Sequence, residues 1–382
     1  MSNKLDKLET LIPLEELEYE AQEQIFNALE HDFVEKVAIM PDCHTGYSMP
    51  IGGVALTNGV ISPAWIGYDQ NCGVCCVITK LKAHKFNKNK LTKVRKKILE
   101  RIPVGFNTHK DYQDDVLEFD GAGCKYNDLV KKPKQKLNNQ RVNDRAKMQV
   151  GSLGGGNHML ELGVNNNGFL SIVIHSGSRN LGHQIATFYM NLSKHVDTDL
   201  PDGFFHLDNE YGQAFLQDLA YSEWFAYENR KRMMAVILEV LGLDINDYID
   251  DMINEHHNHA IVLDGGKVIH RKGATSAYKG QLGLIPIDMS HGTYITVGLG
   301  NEKYLSSASH GAGRKMSRTR AKENVKLDIF EKQMKDIVSG KCKDCLDEAP
   351  DAYKSADLVI GYQKGIVVDI IDHIKPLVNI KG

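Results

Sequence analysis

The chain carries little of what would mark a secreted, membrane-bound or fibrous protein. Its seven cysteines, at positions 43, 72, 75, 76, 124, 342 and 345, are odd in number and form no even framework of the kind that staples small secreted domains. Reduced thiols are therefore expected. No long hydrophobic run is present: the longest, near Ala235 to Leu243, is interrupted by Glu239 and is too short to span a bilayer. The opening stretch MSNKLDKLETLIPLEELEYE lacks the apolar region of a signal peptide. Charge of one sign is also missing, because a formal net charge of -3 gives no overall basic excess of the sort that advertises nucleic-acid binding. Nor does an internal repeat, a low-complexity linker or a clean break in composition divide the chain. These absences point to a soluble, cytoplasmic, globular protein with one domain over residues 1–382.

What is present supports a sizeable core, with 42% hydrophobic and 25% charged residues. Periodicity predicts helices over Leu14 to Leu29, Asn87 to Arg101, a segment beginning near Asn138, Ala214 to Leu241, Ile245 to His256 and Val325 to Val338. Strands are expected at Val34 to Ile39, Gly52 to Leu56, Val74 to Ile78, Phe169 to Ile174 and Val268 to His270. Several short ones follow between Ile285 and Leu305, with a last strand at the end of the chain. MPDCHTGYSMP reads as a loop after the first strand. The fold class is α+β, with mixed sheets surrounded by helices. Basic residues cluster in Lys88 to Arg101 and Lys131 to Lys147, and Gly105 to Lys136 is polar and poor in pattern.

Three kinds of feature carry chemistry. SHGAGR, Ser309 to Arg314, sets the imidazole of His310 among residues too small to shield it and adds the planar cation of Arg314. Such a segment suits a phosphate beside a nucleophile, or simply a tight turn. GYDQNCG spaces Asp69 and Cys72 so that a carboxylate and a thiolate can face one point, while His158, His175 and His257 sit at predicted element ends, the last closing a helix. Singly, each reads as a core or turn residue. Together they make a mixed N/O/S set that suits Mn, Zn or Fe and argues against Mg or Ca. Five ligands exceed one tetrahedral zinc site but fit two metals sharing a bridge, for which a Cys72 thiolate is suited. Cys342-x-x-Cys345 has no partner pair to make a zinc ribbon.

DQNCG, GGGNHMLE, HSGSRNLGHQ, HHN, HRKGAT, SHGAGR, AYK and the terminal KG occur in the order and approximate spacing of RtcB RNA ligases, and MPDCHTG resembles that family's MPDxHxG. The resemblance runs from about residue 38 to residue 382. It implies joining of an RNA 3′-phosphate or 2′,3′-cyclic phosphate end to a 5′-hydroxyl end, in RNA repair or tRNA splicing, with GTP and two manganese ions. His310 matches the guanylylated histidine. Asp69, Cys72, His158, His175 and His257 match the metal ligands. Glu161 and Lys381 match the pair that reads the guanine edge, Asn157 a phosphate contact, Tyr353 a residue beside the nucleotide, and Arg314 a cation for phosphoryl charge. Arg179, Arg314, Arg318 and Arg320 become candidates for RNA contact, with the basic helix from Lys88 more distant.

The chain departs from that pattern in two places. PIDMSHG stands where PGSMG is usual, so Asp288 replaces a small hydroxyl residue near the nucleotide, and Met159 replaces an aromatic. Rival classes are a metal-dependent phosphoesterase, a family member that binds RNA ends without ligation, and a structural subunit. Intact His310 argues against the last two.

Overall fold

A computed structural model describes residues 4–113, 139–197 and 199–382. Cys124, much of the polar stretch before Lys136 and most of the second basic cluster lie outside the described residues. The architecture is α+β and is organised around a seven-stranded antiparallel sheet. Its order is Leu282–Pro286, Thr293–Gly298, Val368–Lys381, Met159–Val164, Phe169–Ser176, Gly73–Lys82 and Ile253–His256. Alternation along the central strands fills both faces. Cys75, Val77, Leu160, Leu162, Leu170, Ile172 and Ile174 pack with Leu91 and Ile98 of the helix Lys88–Arg101 and with Met233, Met234 and Ile237 of the helix Glu210–Val240. Val74, Cys76, Met159 and Val173 pack on the other face with Leu284, Ile295 and Ile374.

A second sheet of five strands, Leu8–Thr10, Val34–Tyr47, Met49–Asn58, Lys267–Lys272 and Asn258–Val262, carries the other half of the site. Two short pairs complete the strands, Ala274–Ser276 with Ser307–Ser309 and Val60–Ile61 with Phe205–His206.

Several expectations are corrected. MPDCHTGYSMP is not a loop. Strand Val34–Tyr47 runs through it and turns at Ser48, whose φ is 65°, into Met49–Asn58, with register shifts at Ile39/His44 and His44/Tyr47. Bulges let glycine and proline sit inside a paired segment without breaking it. Ile245 to His256 is not a helix either: a 3-10 turn at Ile245–Asp247 leads to the edge strand Ile253–His256, paired with Gly73–Cys76. Tertiary pairing overrides the helical spacing there, so His257 lies between two strands rather than closing a helix. Val325 to Val338 yields only the helix Leu327–Gln333, preceded by Arg318–Asn324, and Leu14 to Leu29 divides into a 3-10 turn at Leu14–Glu16 and the helix Tyr19–Leu29. Among the described residues no helix is long and apolar enough to cross a membrane.

Candidate active site

Four neighbouring strands of the large sheet deliver the expected metal ligands to one sheet end. Cys72 immediately precedes Gly73–Lys82, His158 precedes Met159–Val164, His175 is the penultimate residue of Phe169–Ser176, and His257 follows Ile253–His256. Antiparallel pairing makes these starts and ends coincide: Gly73 lies opposite both Ser176 and His256, and Met159 opposite His175. Asp69 reaches the same place from the turn before Cys72.

Ligand-type atoms then fall into two groups that share Cys72. One is Cys72, His175 and His257; the other is Asp69, Cys72 and His158. The Cys72 Sγ is 3.2 Å from His175 Nε2 and 3.4 Å from His158 Nε2. His175 Nε2 is 3.3 Å from His257 Nε2, and His158 Nε2 is 2.9 Å from Asp69 Oδ2. His158 Nδ1 is 3.0 Å from the Leu153 carbonyl, an acceptor, so the ring donates there and presents a lone pair at Nε2. Burial lowers the pKa of His175 and His257, favouring the neutral imidazoles a metal needs, and raises that of the Cys72 thiol. Burial would raise Asp69 as well, but His158 and Cys72 hold it down at about 2.

His310 faces this cluster from the end of the short strand Ser307–Ser309, its ring centroid 4.7 Å from that of His257. Its Nδ1 lies 2.7 Å from Oδ2 of the fully buried Asp42, which also accepts the His310 backbone N–H at 3.2 Å. A carboxylate can only accept, so Nδ1 donates and Nε2 is left with its lone pair. Gly313 makes this approach possible: at φ 69°, a Cβ there would stand 2.1 Å from the Asp42 carbonyl oxygen.

A cavity of about 310 Å³ opens beside His310 and is lined by Asn157, Met159, His175, Asp288, Arg314, Arg318, Tyr353 and Lys381 among others. That volume is at the small end of ligand sites. Glu161 is not on its wall. It is fully buried, and Asn379 and Thr293, though close enough to favour its charged form, make no well-formed hydrogen bond to either oxygen. Burial and the nearby Asp288 push it up to about 8. Asp288 lines the cavity, yet Oδ1 accepts from Ser290 and the His291 backbone while Oδ2 meets His291 Nδ1 at 2.7 Å, so its acceptors are spent within its own turn.

Sequence reasoning missed two carboxylates. Asp42 is visible only as a letter in MPDCHTG, and Glu348 stands four residues before the start of AYK. Glu348 is the hub of the cavity floor, meeting Arg314 at 3.3 Å, Tyr353 Oη at 2.6 Å, Lys381 Nζ at 2.6 Å and Arg318. Burial alone would raise its pKa, but Lys381 and Arg318 keep it below the ordinary range. Arg314 also donates to the carbonyls of Met316 and Asp347, so its guanidinium is turned into the protein. Arg179 donates to Ser152 and Gly105, whereas Arg320 is exposed. Cys342 and Cys345 join no metal-type group among the described residues; Cys342 packs with Phe330 and Met334.

Comparison with known proteins gives a match over residues 24–382 to the family described as "tRNA-splicing ligase RtcB". "RNA-splicing ligase RtcB" of Escherichia coli (strain K12) is 32% identical over 96% of this chain and 95% of its own length. "tRNA-splicing ligase RtcB" of Nanoarchaeum equitans is 29% identical over 91% and 88%, and that of Archaeoglobus fulgidus 28% over 96% and 92%.

Proposed function

The chain belongs to the RtcB family, and we propose that it is an RNA ligase joining 3′-phosphate or 2′,3′-cyclic phosphate ends to 5′-hydroxyl ends through a GMP adduct on His310. The observation that carries this reading is an imidazole fixed by Asp42, with Nε2 free, beside both a cavity and two ligand groups sharing one cysteine. The donor set fits the proposed metal: thiolate, imidazole and carboxylate together suit Mn, and one sulfur common to both groups suits a bridged pair. Asp69, Cys72 and His158 would hold one manganese and Cys72, His175 and His257 the other, supplying Lewis-acid stabilisation of phosphoryl charge.

The chain's own residues do the rest. Asp42 fixes the ring and stabilises the cation it becomes as Nε2 bonds to the α-phosphorus of GTP and the bond to pyrophosphate breaks. Small residues at Gly311, Ala312 and Gly313 let phosphate approach the ring. A 2′,3′-cyclic phosphate is first opened by water to a 3′-phosphate; GMP then passes to that phosphate as the Nε2–phosphorus bond breaks, and the 5′-hydroxyl oxygen, losing its proton, displaces GMP. Glu161, a buried carboxylate without a donor, would take the N–H groups of guanine, and Lys381 its O6. Asn157 and Tyr353 would contact the nucleotide from the cavity wall. Glu348 would hold Lys381, Arg314 and Tyr353 in place. The described geometry modifies the expectation at two residues: Glu161 lies behind the cavity wall, so guanine would reach it only after the wall opens, and the donors of Arg314 would have to be released from the Glu348 segment before it could meet phosphate.

Incubation with α-labelled GTP and manganese, followed by denaturation, tests the reading. Acid-labile label is expected on the wild type and absent from His310→Ala. Label that survives in His310→Ala assigns the wrong nucleophile, and an unlabelled, metal-loaded wild type removes the ligase reading.

A further inference from the structure

Three aromatic rings form a ladder on the surface beside the metal ligands, and the packing of the fold does not account for them. Tyr47 and Tyr68 have ring centroids 6.1 Å apart and are tilted by 45°, and Tyr68 stacks on His183 at 5.1 Å with 25° between the planes. Tyr47 is 56% exposed and Tyr68 41%, and His183 is exposed too. They come from three separate segments: the turn of the Val34–Tyr47/Met49–Asn58 hairpin, the turn before Asp69, and the first turns of the helix Arg179–Leu192.

The ladder is held rigidly from below. Lys272, only 6% exposed, donates to the Tyr47 carbonyl and, at 3.1 Å, to that of Ala64. One buried amine thus ties the hairpin turn to the segment leading into Tyr68, and its Nζ lies 6.0 Å from the centre of the Tyr47 ring. Fixing exposed rings in place lowers the entropy cost of stacking a ligand on them. The apolar residues near them in sequence, Met49, Ile66, Leu181 and Ile185, are buried, and the side chains that share their surface, Thr45, Ser48 and Asp69, are polar, which is unlike the apolar centre of a protein interface.

Position supplies the occupant. Among the five ligand residues, Cys72, His158, His175 and His257 are buried, while the Asp69 side chain is 38% exposed. Tyr68 directly precedes it. We propose that Tyr47, Tyr68 and His183 form a stacking platform for unpaired nucleobases of the RNA end that enters the active site. Exposed ring faces suit single-stranded RNA, whose bases are free to leave their own stack. This inference rests on the ligase reading for the identity of the strand, though not for the stacking itself.

Binding of full-length protein to a labelled single-stranded 5′-hydroxyl RNA of about twelve nucleotides, followed by anisotropy with manganese present, tests it. Tyr47→Ala and Tyr68→Ala should each weaken binding about tenfold, the size of one lost base stack. Tyr47→Phe should retain wild-type affinity, since the ring and not the hydroxyl acts. Equal binding of both alanine variants, within about twofold of wild type, overturns the proposal. So does a wild type that sediments as a dimer and becomes monomeric on Tyr47→Ala with unchanged RNA affinity, which would assign the ladder to a second copy. If instead the alanine variants lose RNA while wild type takes no label from GTP, the platform stands and the ligase reading falls.

Discussion

Glu161 has a chemistry that the protein alone leaves unsatisfied. A carboxylate with no exposed surface and no well-formed hydrogen bond favours its neutral form, and burial together with Asp288 raises its pKa from 4.5 to about 8. Between those two values the folded state keeps a proton that the unfolded state has lost. The stability Glu161 contributes is therefore complete below about 4.5 and is lost as pH rises through about 8. The slope is at most about 1.4 kcal/mol per pH unit. Urea unfolding of ligand-free wild type and Glu161→Gln across this window should show the wild type losing stability with rising pH relative to the variant. Parallel curves would mean that the carboxyl titrates normally. The residue type was legible from GGGNHMLE, but its burial was not, because a one-residue pattern cannot say that Asn379 lies opposite it on the neighbouring strand.

The 3-10 segment Cys342–Glu348 shows how much an element can depend on one side chain. Glu348 offers two oxygens to Arg314, Arg318, Tyr353 and Lys381, which arrive from the SHGAGR turn, the helix Arg318–Asn324, the AYK turn and the last strand. Removing the carboxylate leaves the largely buried Arg314 and Lys381 without their carboxylate partner, while Arg318 keeps Asp347 at 3.0 Å. Glu348→Ala should lower stability by about 3 kcal/mol, as for a broken buried ion pair, and weaken GTP binding. Glu348→Gln, which keeps acceptor and shape, should lose less of both; denaturant midpoints and nucleotide titration read the difference. Helices with a clean apolar face, such as Lys88–Arg101, were legible because Leu91, Val94 and Ile98 keep the helical spacing. Ile245 to His256 was not. Its strand end exists because Gly73–Cys76 offers an unpaired edge, a fact distant in sequence.

At the scale of the molecule, motif order was readable and strand order was not. The proposed ligand residues stand at 69, 72, 158, 175 and 257, while the sheet sets strands 159–164, 169–176, 73–82 and 253–256 side by side. Local patterns identify the strands; only long-range pairing makes their ends meet. The same pairing would give metals bound there a structural role. A site assembled from four strands is absent in the unfolded chain, so ions that bind only the folded state stabilise it by mass action, about 4 kcal/mol when free metal exceeds its dissociation constant a thousandfold. Chelation should lower the melting temperature and added manganese restore it. Cys72 belongs to both ligand groups and His257 to one, so Cys72→Ala should abolish the restoration where His257→Ala leaves part of it. Metal content measured alongside distinguishes a bridged pair from a single ion: equal losses from the two variants would contradict a shared sulfur.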